Sequence, residues 1–411
     1  GGGLNSQRAL IMVFNAGSSS LKFARFQESA SGNCFALIHG AVSHIGSNAE
    51  FIWRHGDRIS QKLIDVHDYE YATEWILDWI SHLWPLGTLI NDIVMVAHRF
   101  VDGGGFFNDP VIVDNPTIDK LESLIPISPN QTPHALSALK VTQRHFSKSI
   151  PTVAVFDTAF FNHLPSYTNS TLPKLTEQYE HRYGLHGFAH RSMYRQLMAL
   201  QGQHTSDTRV ITFQLGSDCS VAAIKDDEPL YTSVGFSANE SLSMPRKSGD
   251  IDPGIVAFLQ NQGYEASAIS NILFEESTLQ RVYRNTSDIR ELLNMQTTDE
   301  GAALSIMMLC YRARKYLGAY MAILQIVDAI AFGGGIGENV PEIRNRICAD
   351  MAWCGIQLDE KRNQQYDGKQ FMISSDDSKV SVYVIPPDEE ILIAEDAKPL
   401  LPINHPTILL H

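Results

Sequence analysis

The sequence predicts an α/β protein of two duplicated domains, each a mixed sheet flanked by helices, with a cleft between them. The first observation is length, because 411 residues exceed what one hydrophobic core usually supports. The second is a strand–turn–strand pattern at 13–23, where apolar runs flank a Gly/Ser turn. The third is a partial copy of that pattern at 212–224. Two such units indicate a duplicated domain, although two unrelated hairpins would also give the pattern.

The two turns predict a pair of phosphate-binding sites that face each other across the cleft. In the first turn, Gly17 lets the backbone approach an anion closely, and the hydroxyls of Ser18 and Ser20 add hydrogen-bond donors. The matched positions are Phe14 with Phe213, Asn15 with Gln214, Gly17 with Gly216, and Ser18 with Ser217. One Gly/Ser turn is weak evidence for a phosphate site, and its repetition strengthens the prediction.

Composition restricts the class of protein. Hydrophobic residues make up 44% of the chain and charged residues 19%, as in ordinary globular proteins. The formal net charge of −14 argues against a nucleic-acid partner, whose phosphates require a basic surface. The five cysteines show no metal-like spacing. Their odd number predicts free thiols in a reducing cytoplasm.

The apolar runs predict neither a signal peptide nor a membrane span. The run at 9–14 is short and leads directly into the first turn. The longest run, at 302–324, carries Arg312, Arg314 and Lys315. We therefore expect this segment to be a core helix or a dimer-contact helix, with no membrane partner.

Alternating and helical apolar patterns predict the order of elements along the chain. The predicted elements are strands up to about 52, a helix at 71–84, a strand at 93–97, a helix near 115–124, a Pro-rich turn at 125–133 followed by a helix, a strand at 152–156, an irregular helical stretch at 254–293, a strand at 329–332 that enters a glycine loop and a helix, and a hinge at Pro386-Pro387. Arg99 and Asp157 follow two of these strands, where open α/β sheets bind ligands.

Several ordered sequence blocks then carry a family resemblance across nearly the whole chain. They are 15–22, His98-Arg99-x-Val101-x-Gly103-Gly104, Val155-Phe156-Asp157-Thr158-Ala159-Phe160, Arg182-Tyr183-Gly184-x-His186-Gly187, Ser248-Gly249-Asp250-Ile251-Asp252-Pro253, Gly334-Gly335-Ile336-Gly337-Glu338-Asn339 and Glu389-Glu390-x-x-Ile393-Ala394. With these blocks the chain resembles the acetate and propionate kinase family, small-carboxylate kinases with the actin, sugar-kinase and Hsp70-like fold. The resemblance implies two actin-like (ribonuclease H-like) domains, at 1–157 plus 390–411 and at 158–389, and a cytoplasmic homodimer.

The resemblance further implies reversible transfer of the ATP γ-phosphoryl group to a short-chain acid, giving an acyl phosphate and ADP. Because this reaction brings two anions together, cations must neutralise both. Arg99 matches the family arginine that grips carboxylate or phosphate, and His186 matches the histidine that contacts the transferring group. The implied catalytic set is Asn15, Arg99, Asp157, His186, Gln214 and Lys247. His98 should point to the opposite strand face and be structural.

Metal and nucleotide sites also follow from the resemblance. Mg²⁺ (or Mn²⁺) would be held by Asn15, Asp157 and Glu389, since these ions prefer hard oxygen ligands. The ATP or ADP contacts would come from the two turns, the glycine loop and a second nucleotide stretch. These residues are Ser18, Ser20, Lys22, Gly216, Ser217, Asp218, Asp288, Arg290, Gly335, Ile336, Gly337 and Asn339.

Several residues depart from the family pattern at the site itself. A His-Asn-Pro triplet is replaced by Gln131-Thr132-Pro133, and the second turn carries Gln214 for histidine and Asp218 for glycine. Lys247 stands where the family has a second arginine, with Arg246 beside it. Lysine keeps the charge and loses the two-pronged geometry, and a carboxylate in a phosphate turn repels the phosphate unless a cation intervenes.

The acid pocket is altered as well. The implied substrate residues are Arg99, Val101, Asn130, Gln131, Leu185 and Ala238. The family has leucine, phenylalanine and proline where this chain has Asn130, Leu185 and Ala238. If Asn130 is buried, an apolar acid would leave its amide unpaired at a cost of roughly 1–3 kcal/mol. The changes predict an acid larger or more polar than acetate.

Two functions therefore stay open at this point. The first is an active small-acid kinase, favoured by Asn15, Arg99, Asp157, His186 and Glu389. The second is a weak or inactive relative that binds nucleotide or a partner, favoured by the altered second turn. A pyrophosphate-dependent variant is disfavoured, because Glu338-Asn339 and Asp288-x-Arg290 match nucleotide contacts.

Overall fold

A computed structural model describes residues 10–28, 33–83, 92–162, 164–165, 184–201, 207–216, 218–233, 252–272 and 289–401. Its strands are β1 (Leu10–Ala16), β2 (Leu21–Glu28), β3 (Cys34–Ser43), β4 (Glu50–His55), β5 (Arg58–Leu63), β6 (Ile93–Phe100), β7 (Val111–Ile112), β8 (Thr152–Phe156), β9 (Arg209–Leu215), β10 (Cys219–Lys225), β11 (Glu228–Thr232), β12 (Ala329–Gly333), β13 (Phe371–Met372) and β14 (Ser381–Val384).

The helices lie between groups of these strands and after the last strand. They are α1 (Tyr69–Ser81), α2 (Asn115–Ser123), α3 (Thr132–His145), α4 (Gly187–Leu200), α5 (Pro253–Asn261), α6 (Ala266–Ser270), α7 (Ile289–Met295), α8 (Glu300–Leu324), α9 (Gly334–Asn339), α10 (Pro341–Cys348), α11 (Glu360–Gln364) and α12 (Glu389–Ala397), with short 3-10 helices at Asp157–Phe161, Ala352–Cys354 and Lys398–Leu400. No helix in the described ranges is both long and apolar enough to cross a bilayer.

The chain divides into two compact units. Unit 1 takes its described residues from Gly1–Ala159 and Asp388–His411, and unit 2 from Phe160–Pro387. Each unit is built on one sheet. The mixed α/β class predicted from the sequence is confirmed. All five cysteines are free thiols, as expected.

Unit 1 contains an eight-stranded sheet in the order β5-β4-β3-β2-β1-β6-β8-β7. Every residue of β1 is buried, so this central strand is covered on both faces. Its even-numbered residues, such as Met12 and Phe14, belong to a core with α1 and α3. Because side chains alternate along a strand, Val13 and Asn15 lie on the other face, and α12 packs against the same strands.

Unit 2 contains a six-stranded sheet in the order β11-β10-β9-β12-β14-β13. The helix α8 packs over one core, which includes Phe213 and Phe332. The helix α4 belongs to a second core, with Met193 and Ala331. Successive side chains of β9 and β12 point alternately into these two cores. Both are therefore central strands of the sheet, covered on each face.

The two sheets share one topology, which supports the duplication predicted from the turns. In unit 1, β1 pairs antiparallel with β2 and parallel with β6. In unit 2, β9 pairs antiparallel with β10 and parallel with β12. Phe14 lies opposite His98, and its counterpart Phe213 lies opposite Phe332. The common core orders are therefore β3-β2-β1-β6-β8 and β11-β10-β9-β12-β14.

Candidate active site

The centre of the candidate site in unit 1 is the guanidinium of Arg99. Its Nε donates to Asp157 Oδ2 at 2.8 Å, and its Nη2 donates to the same oxygen. Its Nη1 donates to Asn15 Oδ1 at 3.2 Å and to the Ala16 carbonyl at 3.4 Å. All three side chains are buried. The guanidinium is thus fixed in one orientation by a carboxylate, an amide and a backbone oxygen.

Strand alternation explains why these side chains meet. The sequence predicted that the strand β6 ends at 97, before His98 and Arg99. In the structure β6 continues to Phe100, so both residues lie within the strand. His98 stacks on Phe14, and its Nε2 lies 2.7 Å from Thr142 Oγ1. Burial lowers the pKa of His98 to about 3, so this side chain is neutral and structural, as expected. Arg99 therefore faces the opposite side of the sheet, where Asn15 lies.

Glu389 begins α12 on this face of unit 1. Burial raises the pKa of its carboxyl to about 7, and the carboxylates of Asp157 and Glu390 act in the same direction, while Arg99 and Lys22 act against it. The main cause is desolvation, because burial disfavours the ionised form of the carboxyl group. Glu389, Asp157 and Arg99 therefore form one electrostatic cluster.

The segment after Arg99 is tied to the segment after Asp157. The amide of Thr158 donates to the Val101 carbonyl at 3.2 Å, and the amide of Gly103 donates to Thr158 Oγ1 at 3.1 Å. Asp102 is buried, and burial raises its pKa to about 6, opposed by a hydrogen bond from the Gly104 amide. These bonds hold Val101 and Asp157 at adjacent strand ends.

The first phosphate turn is held by backbone bonds and by one tyrosine. The amide of Gly17 donates to the Ser20 carbonyl at 2.8 Å. The hydroxyl of Tyr69, at the start of α1, donates to the Gly17 carbonyl at 2.6 Å. Ser18 and Lys22 are exposed, and Ser20 is half-buried. The hydroxyls and the ammonium group predicted for phosphate binding are accessible on this turn.

The second turn, in unit 2, is one residue shorter. Ala16 pairs with Leu21 around the first turn, whereas Leu215 pairs with Cys219 around the second. The amide of Gly216 donates to the Asp218 carbonyl at 3.2 Å. Gln214 Oε1 is buried and has no hydrogen-bond partner among the residues that the structure describes. An unpaired carbonyl oxygen needs a hydrogen-bond donor, so a ligand hydroxyl group could complete it and an ionised phosphate oxygen could not.

His186 lies at the N-terminus of α4 in unit 2. Its backbone is left-handed, with φ 61° and ψ 36°, which is uncommon for a residue other than glycine. Its Nδ1 lies 2.8 Å from Ser220 Oγ on β10. Leu185 beside it is buried. The ring is therefore held by a strand of the same unit that carries the second turn.

The glycine loop of unit 2 forms α9 directly after β12. Gly334 has φ +83°, and a Cβ there would lie 2.4 Å from the Leu215 carbonyl, so only glycine fits this approach to β9. Asn339 Nδ2 donates to the Gly335 carbonyl at 3.0 Å. The buried Arg344 donates to the carbonyls of Gly337 and Glu338 at 2.8 and 2.9 Å. This arginine anchors the C-terminal end of the loop helix.

The model of the acetokinase family matches residues 10–395. The chain belongs to the acetokinase family. Family membership agrees with the catalytic motifs and with the duplicated sheet topology described above.

Individual acetokinase-family proteins give the same result. An acetate kinase of Chloroherpeton thalassium is 34% identical over 407 residues, covering 94% of this chain and 97% of that protein. The crystal structure of Porphyromonas gingivalis acetate kinase matches with a TM-score of 0.80 and 33% identity, covering 96% of this chain and 100% of that one. A propionate kinase structure from Francisella tularensis matches with a TM-score of 0.80 and 30% identity, covering 94% and 98%.

The acid-pocket residues predicted for this acetokinase-family chain are not all in one environment. Val101 and Leu185 are buried, in unit 1 and unit 2 respectively. Gln131 is half-buried at the start of α3, and Asn130 is exposed. The assumption that Asn130 is buried is therefore wrong, because it lies at the exposed end of the turn before α3. The unpaired-amide penalty that was predicted from it does not apply here.

The residues predicted to contact the nucleotide differ in their exposure. Gly335 is exposed, Ile336 is half-buried and Gly337 is buried within α9. Arg290 is exposed at the start of α7. Ser217, Ala238, Lys247 and Asp288 lie outside the described residues.

A magnesium ion fits the donor set in unit 1. Within the described ranges, no cluster of three or more His, Cys, Asp or Glu side chains is arranged to hold a metal. Mg²⁺ requires fewer protein carboxylates than that, because phosphates and water complete its coordination. Asp157 and Glu389 supply two hard carboxylates, and the pKa of Glu389 is raised chiefly because burial removes water from its ionised form, a cost that a bound cation would offset.

Sequence reasoning missed the residues that support the site. Ser220 and His190 hold His186, Tyr69 holds the first turn, and Arg344 holds the glycine loop. Only His190 had a usable signal, since it lies four residues after His186 and so on the same helix face. The other contacts join segments distant in sequence, and their pairing depends on the fold.

Proposed function

We propose that this chain is an active carboxylate kinase that transfers the γ-phosphoryl group of ATP reversibly to a short-chain acid, giving an acyl phosphate and ADP. The observation that carries the proposal is the buried guanidinium of Arg99, fixed by Asp157 and Asn15. A pre-oriented and permanently charged fork at this position serves a reaction between two anions. Membership of the acetokinase family supports the same reaction class.

Arg99 neutralises and orients the acid in this proposal. Its Nε, Nη1 and Nη2 groups already donate to Asp157, Asn15 and Ala16, so it acts on the acid chiefly as a fixed positive charge. Asp157 and Asn15 keep it from turning, so little reorganisation is needed when charge spreads over the phosphoryl oxygens. His186 donates a hydrogen bond to the transferring group, and Gln214 and Lys247 assist at the positions that the family gives them.

Magnesium, or manganese in its place, is the metal that these residues would hold. Asp157, Glu389 and Asn15 are its proposed protein contacts. When bound, the ion neutralises the charge of the phosphates. Glu389, whose pKa is raised to about 7, gives up its proton more readily when such a cation is present.

The nucleotide contacts come from separate elements of each unit. Ser18, Ser20 and Lys22 in unit 1, and Gly216, Ser217 and Asp218 in unit 2, are proposed to bind phosphates. The α9 residues Gly335, Ile336, Gly337 and Asn339, with Asp288 and Arg290, are proposed to bind the adenosine. The exposed Gly335 and Arg290 support this, because both are accessible to a ligand. A nucleotide donor is therefore favoured over pyrophosphate.

The acid is proposed to be acetate, propionate or a larger and more polar short-chain acid. Val101 and Leu185 supply apolar contacts, and Asn130, Gln131 and Ala238 are the positions where the chain departs from the family. The exposure of Asn130 leaves its amide free to meet a polar group on the acid at the cost of little desolvation.

We also propose that the protein is a homodimer in which α8 supplies the contact. This helix buries one face in unit 2, and it exposes large apolar residues at helical spacing on another. These exposed residues are Leu304, Met307 and Tyr311. A row of this kind is typical of a protein–protein contact. The contact would use the same helix that the sequence marked as its longest apolar segment.

A second function is supported by one specific observation. Asp218 places a carboxylate in the second turn, where it opposes phosphate binding. If this carboxylate prevents productive binding of the phosphates, the chain would bind a nucleotide or a partner without turnover.

Trapping of acyl phosphates with hydroxylamine separates these functions. A panel of acetate, propionate, and hydroxy- and amino-acids of increasing length is incubated with ATP or pyrophosphate and Mg²⁺. We expect hydroxamate with ATP for at least one acid and none with pyrophosphate. Arg99→Ala should abolish the product, and the exposed Arg144→Ala should retain it. Absence of hydroxamate for every pair, together with tight nucleotide binding, would identify a binding protein.

A further inference from the structure

We infer that Ser220, His190 and Thr212 are positioning residues that hold His186 with its ring proton on Nε2. The inference rests on the proposed function only for what that proton does, namely donate to a phosphoryl oxygen. The hydrogen-bonded chain itself is a property of unit 2. It joins α4 to the two strands that flank the second turn, β9 and β10.

Three short contacts build this chain. Thr212 Oγ1 lies 2.7 Å from His190 Nδ1. His190 Nε2 lies 2.8 Å from Ser220 Oγ. Ser220 Oγ lies 2.8 Å from His186 Nδ1. Thr212, His190 and Ser220 are all fully buried, so water does not compete for these bonds.

His190 is neutral, and this limits the directions in which the bonds run. Burial lowers its pKa well below 6.5, and the neighbouring His186 acts in the same direction. A neutral imidazole has one nitrogen that donates and one that accepts. Either Nε2 donates to Ser220 and Nδ1 accepts from Thr212, or both bonds are reversed.

Thr212 decides between the two arrangements. Within the described part of the chain, His190 is the hydrogen-bond partner given for the Thr212 hydroxyl. If Nδ1 of His190 donated to Thr212, the buried hydroxyl proton of Thr212 would have no acceptor in that part of the chain. Because buried donors are almost always satisfied, Thr212 donates to Nδ1. His190 Nε2 therefore carries the proton and donates to Ser220 Oγ.

The direction of the bond from His190 to Ser220 determines the direction of the bond between Ser220 and His186. Its oxygen accepts from His190, so its hydroxyl proton is available for one donated bond. The candidate acceptors are His186 Nδ1 at 2.8 Å and the Leu185 carbonyl at 3.5 Å. The shorter contact is the stronger hydrogen bond. With Nδ1 accepting, neutral His186 must carry its proton on Nε2.

The backbone of His186 gives independent support for a functional constraint. Its left-handed conformation is strained for a residue with a side chain and persists only where the surroundings fix it. The His190 amide donates to the His186 carbonyl at 2.9 Å, and Ser220 holds the side chain. Because both the backbone and the side chain of His186 are held, the orientation of its ring is restricted. Preorganised stabilisation of a transition state requires a fixed donor of this kind.

The expected effect on the reaction is a loss in kcat with KM for ATP and for the acid changed less. Ser220→Ala removes the donor to Nδ1, so His186 rotates and populates both tautomers. Loss of one hydrogen bond at this position should lower kcat about 5- to 10-fold. Ser220→Thr keeps the hydroxyl and should restore most of the rate, which a purely structural role of the side chain would not require.

The decisive measurement is the ¹⁵N chemical shift of the His186 ring nitrogens in the full chain. We expect Nδ1 to give the lone-pair signal and Nε2 the protonated signal in the wild type. Ser220→Ala and Thr212→Val should average the two signals, whereas Thr212→Ser should leave them as in the wild type. Thr142→Val is the matched control, because it removes a hydroxyl bonded to another buried histidine, His98. It should leave the His186 signals unchanged.

A wild-type signal with the proton on Nδ1 would overturn the inference, and so would His186 signals that do not respond to Ser220→Ala. If Ser220→Ala does not fold, Thr212→Val and Thr212→Ser carry the same test. The measurement needs no turnover. A chain that shows the expected tautomer and makes no acyl phosphate would therefore contradict the proposed function and leave this inference supported.

Discussion

Asp157 Oδ2 accepts two hydrogen bonds from Arg99, one from Nε at 2.8 Å and one from Nη2, in the interior of unit 1. Removing one partner of a buried ion pair leaves the other charge uncompensated, which costs about 3–5 kcal/mol. The pair therefore fixes the guanidinium and also makes each side chain depend on the other. Its main use in the proposed reaction is orientation, since the cation must face two reacting anions.

Arg99→Lys should retain the charge and lose the two-pronged geometry. We expect kcat to fall by on the order of 10³, the lower end of what arginine contributes to phosphoryl transfer. The measurement is acyl phosphate formation at saturating ATP. Arg144→Lys is the control, because Arg144 is exposed and pairs with Glu70 and Glu74. A rate for Arg99→Lys within threefold of the control would show that the fork is dispensable.

Asp157→Asn should free the guanidinium from its ionic partner. The side chain keeps its size, so the loss reflects charge and not volume. We expect a fall in kcat, and a fall in stability of about 3–5 kcal/mol by urea denaturation. The double variant Arg99→Met/Asp157→Leu should be more stable than Asp157→Asn alone, because no buried charge remains. Equal stability of the single and double variants would contradict the coupling.

Asp218→Gly should improve nucleotide binding. The second turn then loses a carboxylate that lies where phosphate is proposed to bind. We expect Kd for ATP without metal to fall about 10-fold, since one charge pair near a surface is worth a few kcal/mol at most before screening. Asp377→Asn removes the same charge from an exposed position of unit 2 and serves as the control. If Asp218→Gly weakens binding with Mg²⁺ present, Asp218 instead acts as a metal ligand.

Asp102 makes the stability of unit 1 depend on pH. Burial raises the pKa of its carboxyl from 3.8 to about 6, so the folded state holds a proton that the unfolded state releases. Stability should therefore fall as pH rises from about 4 to about 6 and stay lowered above that range. Asp102→Asn should remove the part of this decline that Asp102 causes, leave the part that the raised pKa of Glu389 causes, and add up to about 3 kcal/mol at pH 7. Denaturant titrations at several pH values test this, with the exposed Asp109→Asn expected to change nothing.

Tyr311→Asp should disrupt the proposed homodimer. Tyr311 is 69% exposed on α8, and the nearby Met307 is 61% exposed. A charge within a buried apolar contact is strongly unfavourable, so the dissociation constant should rise at least 100-fold in sedimentation experiments. Trp353→Asp is the control, as Trp353 is 83% exposed on another segment of unit 2. A monomeric wild type would contradict the proposal outright.

The sequence predicted the fold well because its strongest signals are local. Apolar runs around Gly/Ser turns indicated two related hairpins, and the shared strand order confirms the α/β class. The helix that begins at Tyr69 was predicted two residues late, because Asp68 caps it through the Tyr71 amide. The strand β6 extends beyond the apolar residues from which it was predicted. His98 and Arg99 are polar, and neighbouring elements bury them, so a pattern of apolar residues could not include them.

The site was only partly predictable. Arg99 and Asp157 were found because each follows an apolar run of a central strand, but their direct bond depends on parallel pairing of β6 and β8. The environment of Asn130 was misjudged, because burial in a loop depends on packing that no local pattern encodes. Ser220 and Thr212 gave no signal at all, since hydroxyl residues in strands are common and their partners lie on a distant helix.

ATP synthesis from ADP and an acyl phosphate tests the central claim most directly. Purified chain is mixed with Mg²⁺, ADP and either acetyl or propionyl phosphate, and ATP is measured by luminescence beside the Arg99→Ala variant. We predict ATP formation by the wild type, with loss of at least 10³ in the variant. Wild-type chain that binds ADP and yields no ATP from either acyl phosphate, nor any acyl phosphate from ATP, would contradict the assignment of this chain as an active carboxylate kinase.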